Sequence, residues 1–188
     1  MEHMPAESRN CDSVGFIYIR KEVIYMNTFS ELNKESGDGI EIACEGDLSE
    51  ILALQKLAYK SEAEIYNDYT IPPLVQTMED LKEEAKESII LKFVEDEKIV
   101  GSVRTVERDG TCYIGKLIVH PHYQNKGIGK KLLKAVEKYF GAVRCELFTG
   151  HLSVKNLALY EKLGYKRFKL KKINDSLQFV YLEKIISE

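Results

Sequence analysis

No uninterrupted apolar run in this chain approaches the roughly 18 residues of a membrane span. The first residues, Met1 to Asp12, are polar and hold no apolar core of the kind a secretory signal needs. Both absences lead to the expectation of a cytoplasmic protein that does not act in a membrane. The four cysteines, Cys11, Cys44, Cys112 and Cys145, are scattered without C-x-x-C spacing, so neither a metal site nor a disulfide framework is expected of them. They read as reduced thiols, mostly serving as small buried apolar groups. An excess of one charge is missing too. With 27 basic and 30 acidic residues the net charge is −3, which gives no global case for a nucleic-acid or anionic-membrane partner. There is no internal repeat and no low-complexity segment. What is present is ordinary globular material: 188 residues, 44% hydrophobic and 30% charged, enough for one domain with a sizeable core.

Hydrophobic periodicity divides the chain. Residues 1–39 look unlike the rest. Val14–Met26 can form one strand, between polar, turn-rich flanks. From Ile40 the pattern is regular. Ile40–Cys44 reads as a short strand. Asp47-Leu48-Ser49-Glu50 has the form of a capping box, with Asp47 as the cap and Glu50 reaching back, before a helix carrying Leu48, Ile51, Leu52, Leu54, Leu57 and Ala58. Helical character fades near Tyr66, and the prolines Pro72 and Pro73 predict an irregular loop from Tyr66 to Leu74. Thr77 with Asp80 opens a second helix to about Glu87. Strand periodicity then covers Ile89–Val94, Ile99–Val106 and Thr111–Val119, joined by turns at Asp96-Glu97-Lys98 and Asp109-Gly110. A third helix ends near Gly141. Val143–Thr149 is a further strand, Ser153 can cap a short helix that Gly164 ends, and Tyr165–Leu170 with Leu177–Lys184 closes the chain as an antiparallel pair. This order is α/β with a mixed sheet.

The stretch from Leu117 to Lys130 stands out. A strand ends at Val119, Pro121 interrupts it, and two glycines precede a helix whose apolar face is Ile128, Leu132, Leu133, Ala135, Val136, Tyr139 and Phe140. The first N–H groups of such a helix lack intrahelical partners and carry partial positive charge. Gly127 and Gly129 let a phosphate approach the backbone, and Lys126, Lys130 and Lys131 add charge. The stretch therefore reads as a phosphate or pyrophosphate cradle. It is not a P-loop, because no Gly-Lys-Ser/Thr follows. It is not the dinucleotide pattern either, because Leu132 stands where G-x-G-x-x-G requires its third glycine.

The spacing Gln124-x-x-Gly127-x-Gly129 resembles the acyl-CoA pyrophosphate loop of the GNAT superfamily of N-acetyltransferases. A second motif lies downstream: Asn156, then Tyr160 four residues later, then Gly164-Tyr165. In that family this pattern marks the second cofactor helix, and i, i+4 spacing places Asn156 and Tyr160 on one face. The resemblance covers about four-fifths of the chain, from Ile40 onward, so residues 40–188 are expected to form the GNAT domain and residues 1–39 an N-terminal extension. It implies the acyl-CoA N-acyltransferase fold: a mixed, mostly antiparallel sheet flanked by helices, with a V-shaped splay between the fourth and fifth core strands, here between Leu117–Val119 and Leu147–Thr149.

By the same resemblance, the expected cosubstrate is acetyl-CoA, with no metal. It would be held by Leu117, Ile118, Val119, Gln124, Asn125, Lys126, Gly127, Ile128, Gly129, Lys130 and Asn156, and the Val119 N–H would polarise the thioester carbonyl. Tyr160 would protonate the leaving thiolate as general acid. The acceptor is expected to be an amine of a small molecule or peptide, near Tyr66, Asp68, Tyr69 and Gln76. Family members are often homodimers. Some carry a Glu base eleven residues before the glycine motif, where this chain has Tyr113. Glu107, Glu146 and His120 are the substitutes, each also compatible with a purely structural role. A non-catalytic acyl-CoA sensor of the same fold is the alternative reading.

Overall fold

The structure is a computed structural model that describes residues 39–140 and 144–186. The expected Val14–Met26 strand and the rest of the 1–38 segment lie outside the described residues. In chain order the elements are β1 (Ile40–Ile42), α1 (Leu48–Ala58), α2 (Lys60–Tyr66), α3 (Pro72–Val75), α4 (Met78–Glu87), β2 (Ile89–Glu95), β3 (Lys98–Arg108), β4 (Thr111–Val119), α5 (Ile128–Phe140), β5 (Arg144–Gly150), α6 (Val154–Lys162), β6 (Lys166–Lys172) and β7 (Gln178–Ile185). Seven strands form one sheet in the order β1-β2-β3-β4-β5-β7-β6. Every neighbouring pair is antiparallel except β4 and β5. This is the mixed, mostly antiparallel sheet flanked by helices that the sequence implied. None of the helices among the described residues is long and apolar enough to cross a membrane.

The β2–β3 and β3–β4 turns each hold two successive residues at positive φ, Asp96 and Glu97 in one and Asp109 and Gly110 in the other. That backbone shape matches the right-handed twist of the strands it joins. Strand alternation sends neighbouring side chains to opposite faces. On one face Leu91, Val103, Cys112, Cys145, Leu147 and Leu182 pack beneath α5 and α6 with Leu132, Leu133 and Val136. On the other, Ile90, Ile99 and Ile118 pack against Leu48, Ile51 and Leu54 of α1 and Leu81 of α4. Cys112 and Cys145 face each other across β4 and β5 and are fully buried, as core residues. Gly101 on β3 lets α5 approach, since a Cβ there would lie 2.8 Å from Ile128 Cγ2. The start of α5 is thereby pressed onto the sheet.

Four local expectations need correction. Pro72 and Pro73 do not sit in an irregular loop but open the helical turn α3, because a first turn needs neither of their missing N–H groups. Asp47 is buried and turned backward, accepting from the Cys44 N–H at 2.8 Å and from Lys92 Nζ at 2.7 Å, so it does not cap α1 with its side chain. Glu50 reaches across to the Ile99 N–H at 2.7 Å rather than back to Asp47. Ser153 makes no side-chain cap to α6; its hydroxyl donates to Glu62. By contrast Thr77 and Asp80 form the reciprocal box expected at the start of α4.

Candidate active site

The site begins where two parallel strands part. β4 and β5 pair from Thr111↔Arg144 to Ile114↔Leu147 and no further. The splay therefore lies between Gly115–Val119 and Phe148–Gly150, with Leu147 still on the paired side. Its cause is local. The β3–β4 register shifts between Ser102 and Arg104, and Lys116, opposite that shift, has φ +50°. An extra residue in one strand of a pair bends that strand and increases its twist. Beyond the bulge, Leu117 and Val119 pack toward the α5 face while Ile118 is buried on the α1 face.

The glycine loop stands at the open end of this fork. Gln124 is exposed, and its Nε2 donates to the Val119 carbonyl at 3.3 Å. Asn125 and Gly127 take positive φ, +64° and +84°. The first α5 bond runs from the Lys131 N–H to the Gly127 carbonyl at 3.0 Å, so the N–H groups before it, on Ile128, Gly129 and Lys130, precede the helical ladder. Ile128 is buried, whereas Gly127 and Lys130 are exposed, and no atom lies within 4 Å of a Cβ built on Gly127. Lys126 lies 3.6 Å from Glu95 and over the Tyr123 ring. The loop thus offers bare amides, open space and nearby ammonium groups, a combination suited to an anion.

Across the fork, α6 presents Asn156 and Tyr160 one turn apart. Asn156 Nδ2 donates to Glu62 Oε1 at 3.1 Å and approaches Thr149 Oγ1 at 3.5 Å. Tyr160 is 6% exposed and sets its ring edge-on to Tyr165. Burial first, then the neighbouring Tyr59 and Glu62, raises its phenol above the ordinary value, which keeps the proton on the oxygen. Tyr59 is raised to about 12 by burial and by Glu62.

Helix α2 closes over the fork from the other side. Its last residue, Tyr66, accepts the Leu152 N–H at 2.8 Å and lies 5.9 Å from the His151 ring. Its Glu62 accepts from Ser153 at 2.5 Å and from Asn156. Below α2 is a polar network. Arg104 donates to Gln55 at 2.5 Å, to Gln76 at 3.2 Å and to Glu84 at 2.8 Å, and Lys116 donates to Gln76 and Glu84. Burial alone would raise the Glu84 carboxyl, but the hydrogen bonds from Lys116 and Gln76 and the two cations hold it below the usual range. A cleft of about 390 Å³ adjoins this network on the open sheet face, lined by Arg104, Tyr113, Gly115, Glu146, Phe148 and Tyr181 among others.

Of the residues expected near the acceptor, Tyr66 and Gln76 are part of these walls. Asp68 and Tyr69 are not brought there. Asp68 is spent on a local turn, accepting from the Thr70 N–H and hydroxyl, and Tyr69 is 58% exposed. The expected substitutes for a base each have a local engagement. Glu107 pairs in register with Cys112 at the far end of the β3–β4 hairpin. Glu146 is held by Arg144 at 2.7 Å. His120 turns its Nδ1 to the His122 N–H. Glu62, Tyr59, Arg104 and Lys116 are the site residues that motif reading missed. Their partners lie up to 94 positions away in sequence: α2 against α6 brings Glu62 to Ser153 and Asn156, whereas α1 and α4 against the sheet bring Gln55 and Glu84 to Arg104 and Lys116.

Comparison with known proteins agrees with this geometry. A family model described as the acetyltransferase (GNAT) family matches residues 50–165. The UPF0157 protein YqkA of Bacillus subtilis (strain 168) is 29% identical over 119 residues, covering 63% of this chain and 34% of that protein. The chain therefore spans about a third of the length of the curated relative it matches. Among solved structures, the PaiA N-acetyltransferase from Thermoplasma acidophilum, in complex with coenzyme A, aligns with a TM-score of 0.65 at 21% identity, covering 78% of this chain and 99% of that one. The ribosomal-protein-S18-alanine N-acetyltransferase from Escherichia coli gives 0.66 at 16%, covering 79% and 94%. The IAA acetyltransferase from Bacillus cereus ATCC 14579 gives 0.58 at 25%, covering 78% and 98%.

Proposed function

The chain belongs to the GNAT acetyltransferase family, and from that premise we propose that it transfers the acetyl group of acetyl-CoA to a primary amine of a small molecule or peptide by direct attack. The observation that carries this reading is the fork beyond Ile114 and Leu147, with the glycine loop at its mouth and Tyr160 on its flank. We take residues 40–188 as the catalytic domain and residues 1–39 as an extension.

The residues present fit the coenzyme. The N–H groups at the start of α5 receive its diphosphate, and Gly127 leaves the room that a side chain would fill. The edge of β4 from Gly115 to Val119 is unpaired toward β5, so its backbone groups serve the pantetheine arm, as does the Asn156 amide. When bound, acetyl-CoA supplies the thioester carbon that the amine attacks. The Val119 N–H polarises the thioester carbonyl, and the phenol of Tyr160, kept neutral by burial, donates to the departing sulfur. The open cleft beside Tyr113, Phe148 and Tyr181 takes the body of the acceptor. Holding the two substrates together supplies much of the acceleration.

The test has two stages. Thermal unfolding is followed with CoA, acetyl-CoA, ATP and NAD, because a ligand of the native state raises apparent stability. Release of CoA is then followed with an amine panel of polyamines, amino acids, aminoglycosides and peptide N-termini. Stabilisation by CoA with turnover of at least one amine is expected. Stabilisation by ATP or NAD and not by CoA contradicts the proposal. Tyr113, standing where some family members carry a Glu base, favours a second reading as an acyl-CoA sensor; stabilisation by CoA with no turnover of any amine selects it.

A further inference from the structure

Attack requires a neutral amine, and an amine with the reference pKa of about 10.4 is almost wholly protonated near pH 7. A group at the fork must therefore take a proton. Of the base positions suggested by the sequence, Glu107 lies at the far end of the β3–β4 hairpin, and the His120 Nδ1 accepts from the His122 N–H. Two carboxylates close to the fork are already neutralised: Glu84 by Arg104 and Lys116, and Glu146 by Arg144. Glu62 differs from both. Its two hydrogen-bond donors, Ser153 Oγ at 2.5 Å and Asn156 Nδ2 at 3.1 Å, are uncharged, and both come from the helix that carries Tyr160 or from its first flanking residue. The carboxylate is half-buried, fixed by two bonds, and close enough to Tyr59 and Tyr160 to act on both phenols.

We propose that Glu62 is the general base of the transfer, held by Ser153 and Asn156 at the fork so that the proton of the incoming ammonium group passes to it. This assignment rests on the acetyl-transfer reading. The step balances. The ammonium R–NH3⁺ gives one proton to Glu62 and becomes R–NH2. The nitrogen lone pair forms the C–N bond, the C–S bond breaks, and sulfur receives the Tyr160 proton. The nitrogen then sheds its remaining extra proton, which returns through solvent to the Tyr160 oxygen. Glu62 releases its proton to bulk water, so the net products are the amide, the free thiol of CoA and one proton.

The variant Glu62→Gln keeps the shape and an oxygen to accept from Asn156 while removing the proton acceptor. Its kcat/KM is compared with that of the unaltered protein from pH 6.5 to 10, using whichever amine of the panel is turned over fastest. The titratable groups facing Glu62 are the phenols of Tyr59, at the start of α2, and Tyr160, on α6; beyond Tyr59 lie the charges of Arg104 and Glu84. Both phenols are raised by burial first, so neither ionises across the lower part of this range. The expected result is a deficit of about 10²–10⁴-fold near pH 7 that shrinks steadily toward pH 10, as solvent deprotonates the amine unaided, with CoA affinity unchanged. Glu62→Asp, which retains a carboxylate, is expected to recover part of the loss.

A deficit that is the same at every pH, or that follows weakened CoA binding, overturns the assignment and makes Glu62 a structural strut. Undiminished kcat/KM in Glu62→Gln also overturns it, while leaving acetyl transfer intact. If the unaltered protein acetylates no amine, the acetyl-transfer reading fails and takes the base with it.

Discussion

Gly150 is a glycine because Tyr66 lies against it: a Cβ at that position would overlap the Tyr66 hydroxyl oxygen. The contact joins the end of α2 to the end of β5, on the far side of the fork, and the Leu152 N–H bond to the same hydroxyl secures it. Gly150→Ala is expected to force the ring aside and to cost about 1–3 kcal/mol, the usual range for an overpacked site. In a Tyr66→Ala background the same change should cost far less, because the clashing atoms are gone. Denaturant unfolding of the two single variants and the double variant measures this coupling. An equal penalty in both backgrounds would show that α2 does not close the fork in this way.

Tyr160→Phe removes one oxygen from a ring that is otherwise packed in the core. Loss of the acid is expected to lower kcat by about 10²–10⁴-fold, with little change in melting temperature and with CoA still bound. Steady-state CoA release and calorimetric titration together check this. Unchanged turnover would remove Tyr160 as the acid.

Gly127 has φ +84° but open space where a Cβ would go. Gly127→Ala is therefore expected to cost the fold only the backbone strain, on the order of 1 kcal/mol. CoA affinity should fall by more than about tenfold, that is, by more than about 1.4 kcal/mol, because the new methyl occupies the approach to the amides. Melting temperature with and without CoA separates the two effects. A variant that melts lower yet binds CoA with full affinity would place the diphosphate elsewhere.

Asp47 and Lys92 form a buried ion pair at 2.7 Å, far from the fork, between the start of α1 and the middle of β2. Burial would raise the Asp47 carboxyl, but the hydrogen bond from Lys92, followed by those from Cys44, holds it below the ordinary value. The folded state thus binds this proton less readily than the unfolded chain. The contribution is complete above the unfolded carboxylate pKa, about 3.9, and is lost as pH falls through the lower folded value. Lys92→Met, which leaves the buried carboxylate its Cys44 bonds but no cation, is expected to cost about 3–5 kcal/mol near neutral pH. Asp47→Asn should flatten the acid limb of stability. Urea midpoints between pH 7 and pH 3 test both.

These cases show what one-dimensional reading catches. Strand periodicity and the Asp109-Gly110 turn place the hairpins, because each signal lies within a few residues of its effect. The glycine loop and the shared helix face are legible for the same reason: Gly127 shapes its own backbone at positive φ, and Asn156 and Tyr160 share a face of α6 by spacing alone. Asp47 misled because its carboxylate found Lys92, 45 positions away, in place of the local cap. Pro72 and Pro73 misled because proline breaks a helix interior but suits a first turn. Glu62 left no local mark. Its place beside Asn156 follows from α2 folding over α6, which no short pattern encodes.

Under the proposed reading, coenzyme A lies in the fork between β4 and β5 with its diphosphate on the amides that open α5. A crystal structure of the protein with CoA tests it most directly. The diphosphate is expected against residues 127–130 and the pantetheine arm beside Gly115–Val119, beyond the last paired residues Ile114 and Leu147. A diphosphate anchored at any other part of the molecule would contradict it.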